Sequence, residues 1–525
     1  MAPIIISLGE KTMHAPFRQK AREIIQHKNC EITNHPHSLK NKIFGKRKKV
    51  TVVTAAFNAE KFISRTIDSV INQTLGFDQI QFIIVDDHSS DITRRIVSEY
   101  AAKHKNICLV SLHENTGSPG TPRNIGIELA DSAYITFLDA DDWLAPGGLE
   151  ELCNILDDTN DDYAVGKTIK VQSASQSIIG EFASIKERRS ISPFDVPHFF
   201  YHMGPTARMV RLSLIKENDI GFPEMVFAED KLFFFDVLFS AKAVSTTAKP
   251  IYYANRTDEN TGSLTRETNV LDKRRSDLKV IEYIKSKNLP ADHEKVALNR
   301  IYEYDIVRTF DSMLFVNSKE KHEFLAILDA AIETAENLRY DFRDSFHTPL
   351  YKEAVNLYME QRTEDFIKLF TWLKKDKNKK YAVINNLPYY ELPFLRDEKK
   401  HIEIPMLARA LDSYIIDNIY YQDVEVYGRD ISQINSILIR DRNRINNEIL
   451  VDFEWKDKNL GYFKVELNSL DKLTDSLFTI FIRYNEYQII NIKRILSNQI
   501  SYKDKTIKFY TTIANNLGLS IKAKE

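Results

Sequence analysis

Two acidic runs stand at the ends of apolar segments: Asp86-Asp87 after Phe82-Ile83-Ile84-Val85, and Asp139-Ala140-Asp141-Asp142 after Tyr134-Ile135-Thr136-Phe137-Leu138. Carboxylates this close repel one another unless a cation or a donor group neutralises them. Two acids spaced one apart on an exposed strand end offer an edge to a hard divalent ion, Mn²⁺ or Mg²⁺, which takes carboxylate oxygens and ligand phosphates together. A D-x-D triplet is weak alone. The apolar run before it and Trp143, Leu144 and Pro146-Gly147-Gly148 after it make it more specific. For Asp86-Asp87 a helix cap plus a turn residue is the competing reading.

Two further segments carry chemistry. In Asn115-Thr-Gly-Ser-Pro-Gly-Thr-Pro-Arg-Asn124, Gly117 and Gly120 let the backbone approach a ligand, and two prolines fix the loop. Arg123 falls at the start of a helix, where its guanidinium forks onto an acceptor; a surface turn with a solvated arginine is the alternative. Phe227-Ala-Glu229-Asp230 lies in a strongly apolar setting before Leu232, Phe233, Phe234 and Phe235. A carboxylate in a partly dehydrated pocket is a competent general base. An ordinary helix N-terminus with acids facing the dipole would look the same.

Positioning these groups takes strands that end together. Val50, Val52 and Val53 open a short strand run, Phe62, Ile63, Ile67, Val70 and Ile71 recur at helical spacing, and Phe82–Val85 is a second strand. Ile92, Ile96, Val97 and Tyr100 predict a second helix capped by Ser90 or Asp91. Leu109-Val110, residues 120–131 and Tyr134–Leu138 continue the alternation. That pattern is α/β, a parallel sheet with helices on both faces, which binds ligands beyond the carboxyl ends of its strands.

The chain has 525 residues, several domains' worth, with 43% hydrophobic and 28% charged residues, so it is globular rather than disordered. Lys plus Arg is 72 against 74 Asp plus Glu, a net charge of −2 that gives no reason to expect nucleic acid. No apolar run is long enough to span a bilayer, and the N-terminus lacks a signal-peptide pattern. Three scattered cysteines, Cys30, Cys108 and Cys153, form neither a disulfide framework nor a zinc site. A cytoplasmic protein is expected, possible at the inner face of the membrane.

Thirteen of sixteen glycines precede residue 265, which marks the first half as site-bearing. Residues 1–49 carry eleven Lys/Arg against Glu10, Glu23 and Glu31 and read as a basic arm, solvated or docked on an anionic membrane or polymer. Residues 50–267 form the α/β domain. Residues 268–375 form a helical linker, with Leu278, Ile281 and Ile284, then Val296, Ile301, Tyr304 and Val307, then Phe324, Leu325, Leu328 and Ile332. Residues 376–525, with Ile449, Val451, Phe453 and Trp455, Phe463, Val465 and Leu467, and Phe478, Ile480, Ile482 and Tyr484 alternating, predict an antiparallel β-sandwich tail.

Thr-Ala-Ala-Phe-Asn58, Val-Asp-Asp-His-Ser-Ser-Asp91, the 115–124 loop, Leu-Asp-Ala-Asp-Asp142 and Ala-Glu-Asp230, in this order, resemble the motifs of the family 2 inverting glycosyltransferases. Within that family the chain is most similar to the enzymes that glycosylate poly(ribitol phosphate) wall teichoic acid; Gly-Pro-Thr206 and Lys216-Glu-Asn-Asp-Ile-Gly-Phe-Pro223 carry that likeness.

The resemblance implies a GT-A (Rossmann-like) fold, a UDP-sugar donor and a bacterial glycan polymer, anionic or neutral, as acceptor. It implies that Asp87 bonds the uracil, helped by Asn115 and Arg123, within a donor-binding set that includes Ala55, Phe57, Asp139, Glu229, Arg256 and Ser263. Asp139 and Asp141 would hold Mn²⁺ or Mg²⁺, with Asp142 an alternative ligand, and Asp230 would be the catalytic base. The C-terminal tail, residues 376–525, would hold a homo-oligomer, trimer or dimer, or else bind polymer.

The chain departs from the pattern at Ala55, where relatives often have Pro, and at Asn260-Thr261-Gly262-Ser263, where the teichoic-acid enzymes have a His that would complete the metal site. A capsular or glycosaminoglycan-type synthase is the second enzyme reading, made weaker by the single set of acids. A catalytically inactive glycan-binding scaffold is the third, and the intact Asp139, Asp141 and Asp230 argue against it.

Overall fold

The computed structural model describes residues 17–36, 47–196, 198–260, 269–494 and 497–524. Two compact units divide the chain: Met1–Ser173 with Ile178–Arg300, and Ile301–Glu525 with Ala174–Ser177.

The first unit is built on one mixed sheet. Its strands are β1 (Cys30–Thr33), β2 (Lys48–Ala56), β3 (Ile80–Asp86), β4 (Ile107–Leu112), β5 (Ser132–Phe137), β6 (Trp143–Leu144), β7 (Tyr163–Val171), β8 (Arg188–Ile191), β9 (Arg208–Arg211) and β10 (Val244–Asn255). The spatial order is β1-β4-β3-β2-β5-β9-β7-β10-β6, with β8 also on β10. β4, β3, β2 and β5 run parallel, as their alternation with helices requires. Chain order reverses at β2, whose neighbours are β3 on one side and β5 on the other. Register pairs Ala56 with Asp86 and Val53 with Phe137, so the ends of all three strands meet at one edge.

Both faces are covered. On β3, Ile80, Phe82 and Ile84 enter one core while Ile83 and Val85 enter the other, which is why the strand reads as an unbroken apolar run. Helices α2 (Ile63–Ile71), α3 (Thr93–Lys103) and α5 (Gly148–Thr159) fill the first face, and α1 (Gln19–Gln26) and α4 (Gly120–Leu129) the second. At Gly126 of α4 a Cβ would stand 2.3 Å from Val53 Cγ1, so helix and strand approach more closely than any side chain would allow.

Part of the expected arm is folded. α1 packs on α4 with Arg18 only 2% exposed and paired to Glu128 at 3.0 Å and Asp219 at 2.7 Å, and β1 pairs antiparallel with β4. Lys48 and Lys49 open β2 rather than ending an arm. Residues 1–16 and 37–46 of the expected arm lie outside the described residues.

Helix α6 (Glu229–Ser240) is buried almost all round, as its run of phenylalanines requires. Helices α7 (Val270–Ser286) and α8 (Ala291–Asn299) also belong to the first unit. α7 turns Leu278, Ile281 and Ile284 inward, and its Tyr283 hydroxyl donates to Asp236 of α6.

The second unit has helices at Lys321–Ala335, Pro349–Met359 and Thr363–Lys375, a three-stranded sheet and a larger β assembly. In that assembly Tyr420, Gln422, Val424 and Val426 point inward from alternate positions of Ile419–Gly428. Its pairings are antiparallel among the described residues except where Met406–Ile416 meets Gln488–Lys493 in parallel, joining the two halves of the sandwich.

Candidate functional site

Strands β2, β3 and β5 deliver Phe57, Asp87 and Asp139 just past their ends. Ala55, half-buried, lies within β2, and Phe57 is 52% exposed beyond it. Asp87 is buried, and its N–H donates to Ala56 O at 2.8 Å, continuing the pairing of the two strands. Its carboxylate accepts from the Thr116 N–H at 2.9 Å and from the Thr116 hydroxyl at 3.0 Å. Asn115 donates to Asp87 O at 2.9 Å and accepts from Gly117 N–H at 2.8 Å, with Gly117 at φ +82°. The glycine loop is thus closed onto Asp87. Burial raises the affinity of both Asp86 and Asp87 for a proton. The N-cap expected at Ser90 or Asp91 falls instead on Ile92, which has no side-chain cap bond, and Asp91, one position before it, accepts from Thr93 N–H at 2.9 Å.

Arg123, in the first turn of α4, is 6% exposed. Its guanidinium donates to Asp139 Oδ1 at 2.9 Å and to Glu229 Oε1 at 3.0 Å. Burial opposes its charge, but the two carboxylates outweigh this and hold its pKa above the ordinary value. The fork predicted for Arg123 is therefore present, with protein carboxylates as acceptors.

The three acids after β5 differ in their surroundings. Asp139 keeps 32% of its side chain exposed and, among the described residues, only one carboxylate oxygen bonded, and its N–H donates to the Tyr252 hydroxyl at 3.1 Å. Asp141 accepts from the Asn260 side chain, and burial followed by the charge of Asp139 raises its pKa. Asp142 is consumed by structure: it accepts from the Tyr252 hydroxyl at 2.7 Å and from Asn255 N–H at 2.7 Å, both on β10. Its pKa is pushed well above the carboxylate range by burial and then by Asp141. A strand-tying role suits it better than the ligand role considered from sequence.

Among the described residues no three His, Cys, Asp or Glu side chains come together as a metal cluster. Asp139 and Asp141 fit the other mode, in which one or two carboxylates hold a cation that donor phosphates complete. Asn260, at the departure noted in the sequence, binds Asp141 through an amide N–H, and an amide nitrogen is a donor rather than a metal ligand.

Glu229 and Asp230 open α6. Burial, then the charge of Asp230, raises Glu229 to a pKa of about 7. Asp230 is half-buried, with Oδ1 accepting from Lys231 N–H at 2.8 Å. Burial raises its pKa, while Arg123 and Lys231 act in the opposite direction. The Lys231 ammonium is held by Asp277 of α7 at 2.5 Å.

Of the remaining expected residues, Arg256 folds back on the end of β10, donating to Asn255 O at 2.7 Å and standing 3.7 Å from Asp142. Ser263 lies outside the described residues. The sequence reading missed Tyr252, which touches both Asp139 and Asp142, and the pair His202 and Arg208 beside Asp230. Tyr252 is one aromatic residue in a strand that reads as ordinary core, and Phe-Phe-Tyr-His202-Met matches no spacing rule.

The model of the family described as glycosyl transferase family 2 matches residues 51–214. The chain is 31% identical over 208 residues to the poly(ribitol-phosphate) beta-glucosyltransferase of Bacillus spizizenii, covering 39% of this chain and 32% of that protein. It is 30% identical over 211 residues to the poly(ribitol-phosphate) beta-N-acetylglucosaminyltransferase TarS of Staphylococcus aureus strain Mu50, covering 39% and 35%. It thus spans about a third of the length of these two relatives. The crystal structure of S. aureus TarS superposes with a TM-score of 0.56 at 17% identity, covering 91% of this chain and 86% of that one. S. aureus TarS 1-349 in complex with UDP-GlcNAc gives 0.55 at 20%, covering 68% and 99%. These likenesses show the fold, a GT-A domain followed by a β-rich C-terminal region, and the match to the glycosyl transferase family 2 model falls within the first unit, at residues 51–214.

Proposed function

We propose that the chain transfers a hexosyl or N-acetylhexosaminyl group from a UDP-sugar to a hydroxyl of a bacterial wall polymer of the teichoic-acid type, inverting the anomeric carbon. One observation carries this reading. The Arg123 guanidinium joins Asp139, at the switch-point edge where nucleotide ligands bind in such sheets, to Glu229, next to Asp230. A donor site and a proton acceptor are thereby held in one network. The names of the relatives, poly(ribitol-phosphate) glycosyltransferases, support the acceptor class, and the UDP-GlcNAc complex of a fold neighbour supports the donor class.

In this mechanism Asp87 accepts from the uracil, with the 115–117 loop closed beside it, and Phe57 lies exposed at the same edge. Asp139 and Asp141 would hold Mn²⁺ or Mg²⁺, which supplies positive charge against the diphosphate leaving group. Asp230 takes the proton of the acceptor hydroxyl at Oδ2, the oxygen not bonded to Lys231 N–H. The acceptor oxygen forms its bond to the anomeric carbon as the bond to UDP breaks on the opposite face. Burial strengthens Asp230 as a base, while the charges of Arg123 and Lys231 oppose that rise in its proton affinity.

The protein works where nucleotide sugars are made, in the cytoplasm, as an oligomer held through its second unit; among the described residues no helix is long and apolar enough to cross a membrane. The decisive experiment is a screen of UDP-sugars for UDP release with and without poly(ribitol phosphate). Polymer-stimulated release from one UDP-sugar is expected; no release from any of them overturns the reading.

A further inference from the structure

Gly204 leaves an opening between two groups that could both touch an acceptor. A methyl group at this position would stand 3.7 Å from Asp230 Oδ2 and 3.9 Å from His202 Nε2, with no other non-neighbouring atom of the described residues within 4 Å. All three residues are half-buried and so reachable from solvent.

The protonation of His202 follows from its partners. Arg208, 2% exposed, donates to His202 O at 2.8 Å and places the same nitrogen 3.3 Å from His202 Nδ1. A guanidinium has no acceptor, so Nδ1 presents its lone pair and the ring proton sits on Nε2. Burial, with the charges of Arg208 and Arg300, holds the imidazole well below its ordinary pKa, so the ring stays neutral. Gly180, at φ +64°, lies under the ring, where a Cβ would come within 2.5 Å of Nδ1.

Among the described residues its Nε2–H has one hydrogen-bond contact, the Thr206 hydroxyl at 3.3 Å, a long bond that a nearer oxygen can share. Thr206 has a better partner in the Thr168 hydroxyl at 2.9 Å. The opening thus has a proton acceptor, Asp230 Oδ2, on one side and a neutral donor on the other. Two oxygens one carbon–carbon bond apart suit both walls together. A phosphate oxygen there would face the Asp230 carboxylate at like-charge cost.

We propose that His202 reads a second acceptor hydroxyl adjacent to the one Asp230 deprotonates, so that the site selects polyol or sugar acceptors with vicinal hydroxyls. This rests on the reading of Asp230 as the base. The Nε2–H donates to the second hydroxyl oxygen, and an acceptor lacking it leaves that donor with only its long contact to Thr206.

The full chain is assayed with poly(ribitol phosphate), whose hydroxyls are adjacent, and with 1,3-linked poly(glycerol phosphate), whose hydroxyl stands alone. Wild type should prefer the ribitol polymer by about tenfold or more in kcat/KM. His202→Phe should lose most of that preference with the donor KM unchanged, and His202→Gln, which restores an N–H, should recover part of it. Should His202→Phe fail to hold donor, Gly204→Ala gives the same readout by filling the opening and raising the acceptor KM. A wild type without the preference, or a His202→Phe enzyme that keeps it, overturns the proposal. Equal loss on both polymers also overturns it, by assigning His202 to the shared phosphate. Asp230→Asn separates the underlying reading: if it stays active on both polymers the base assignment fails, whereas the His202 preference is still measured.

Discussion

Thr116 grips Asp87 with two donors, its backbone N–H at 2.9 Å and its hydroxyl at 3.0 Å, one to each carboxylate oxygen. Each oxygen keeps a second lone pair, so the carboxylate is aimed by the loop and still able to accept from a base edge. Asp87→Ala should therefore raise the donor KM and relax the preference for uridine, and should loosen residues 115–117 as well. Thr116→Val removes only the hydroxyl bond and should cost about 1 kcal/mol of stability while keeping nucleotide discrimination. Kinetics with UDP- and other nucleotide-sugars, beside thermal melts, separate the two; unchanged discrimination in Asp87→Ala counts against the uracil contact.

Asp230→Asn keeps the shape and the acceptor for Lys231 N–H but removes the proton acceptor. Transfer should fall about 10²–10⁴-fold with UDP-sugar affinity nearly unchanged. Activity above about a tenth of wild type would sink the assignment.

Glu229 links stability to pH. Its pKa in the folded protein is raised to about 7, so the folded state binds more protons than the unfolded one between the ordinary carboxylate range and that value. The stability this confers is complete at the acidic end of the window and is lost as pH rises through about 7. Glu229→Gln keeps the acceptor for Arg123 without titrating. Melting temperatures taken from pH 5 to 8 should show wild type losing ground to Glu229→Gln as pH rises, and parallel curves would refute the shift.

Asp141→Ala should weaken donor binding and abolish stimulation by Mn²⁺ or Mg²⁺, because one of two candidate carboxylate ligands is gone. Titration of the metal against UDP release, with a chelator control, checks this. A wild-type rate that survives chelation shows the metal role to be wrong.

Leu411, Tyr414, Ile415 and Ile416 are each at least 40% exposed along one stretch of Met406–Ile416 in the second unit. Apolar strand surface of this kind calls for cover. If it is the oligomer contact, Ile415→Lys with Ile416→Lys should reduce the mass seen by light scattering to that of one chain, with donor turnover retained and action on long polymer weakened through lost avidity. An unchanged mass places the contact elsewhere.

The parallel strands were legible because both faces are buried: Ile83 and Val85 serve one core, Phe82 and Ile84 the other, leaving a run that only a covered strand carries. The site's acids were legible because β3 and β5 end where the apolar runs stop. The division of labour among them was not. Asp139, Asp141 and Asp142 are consecutive or nearly so, yet a strand-end turn leaves Asp139 open and buries Asp142 against Tyr252 and Asn255, more than a hundred positions away. His202 was invisible for the same reason, since its tautomer is set by Arg208 through folding rather than spacing. Basic character likewise hid a folded segment: Arg18 looks like a solvated charge and is buried between Glu128 and Asp219.

The pairing of β1 with β4 has a practical side. Residues 30–33 cover the outer backbone groups of β4 through four registered pairs, Cys30 with Leu112 to Thr33 with Leu109. The family match starts at residue 51, so a recombinant fragment trimmed to it would strip that cover away. Its β4 would present a row of unpaired N–H and C=O groups beside apolar side chains, a template for sheet-to-sheet aggregation. Within what the composition marks as a basic arm, residues 30–33 are the selvedge that keeps the sheet from fraying into its neighbours.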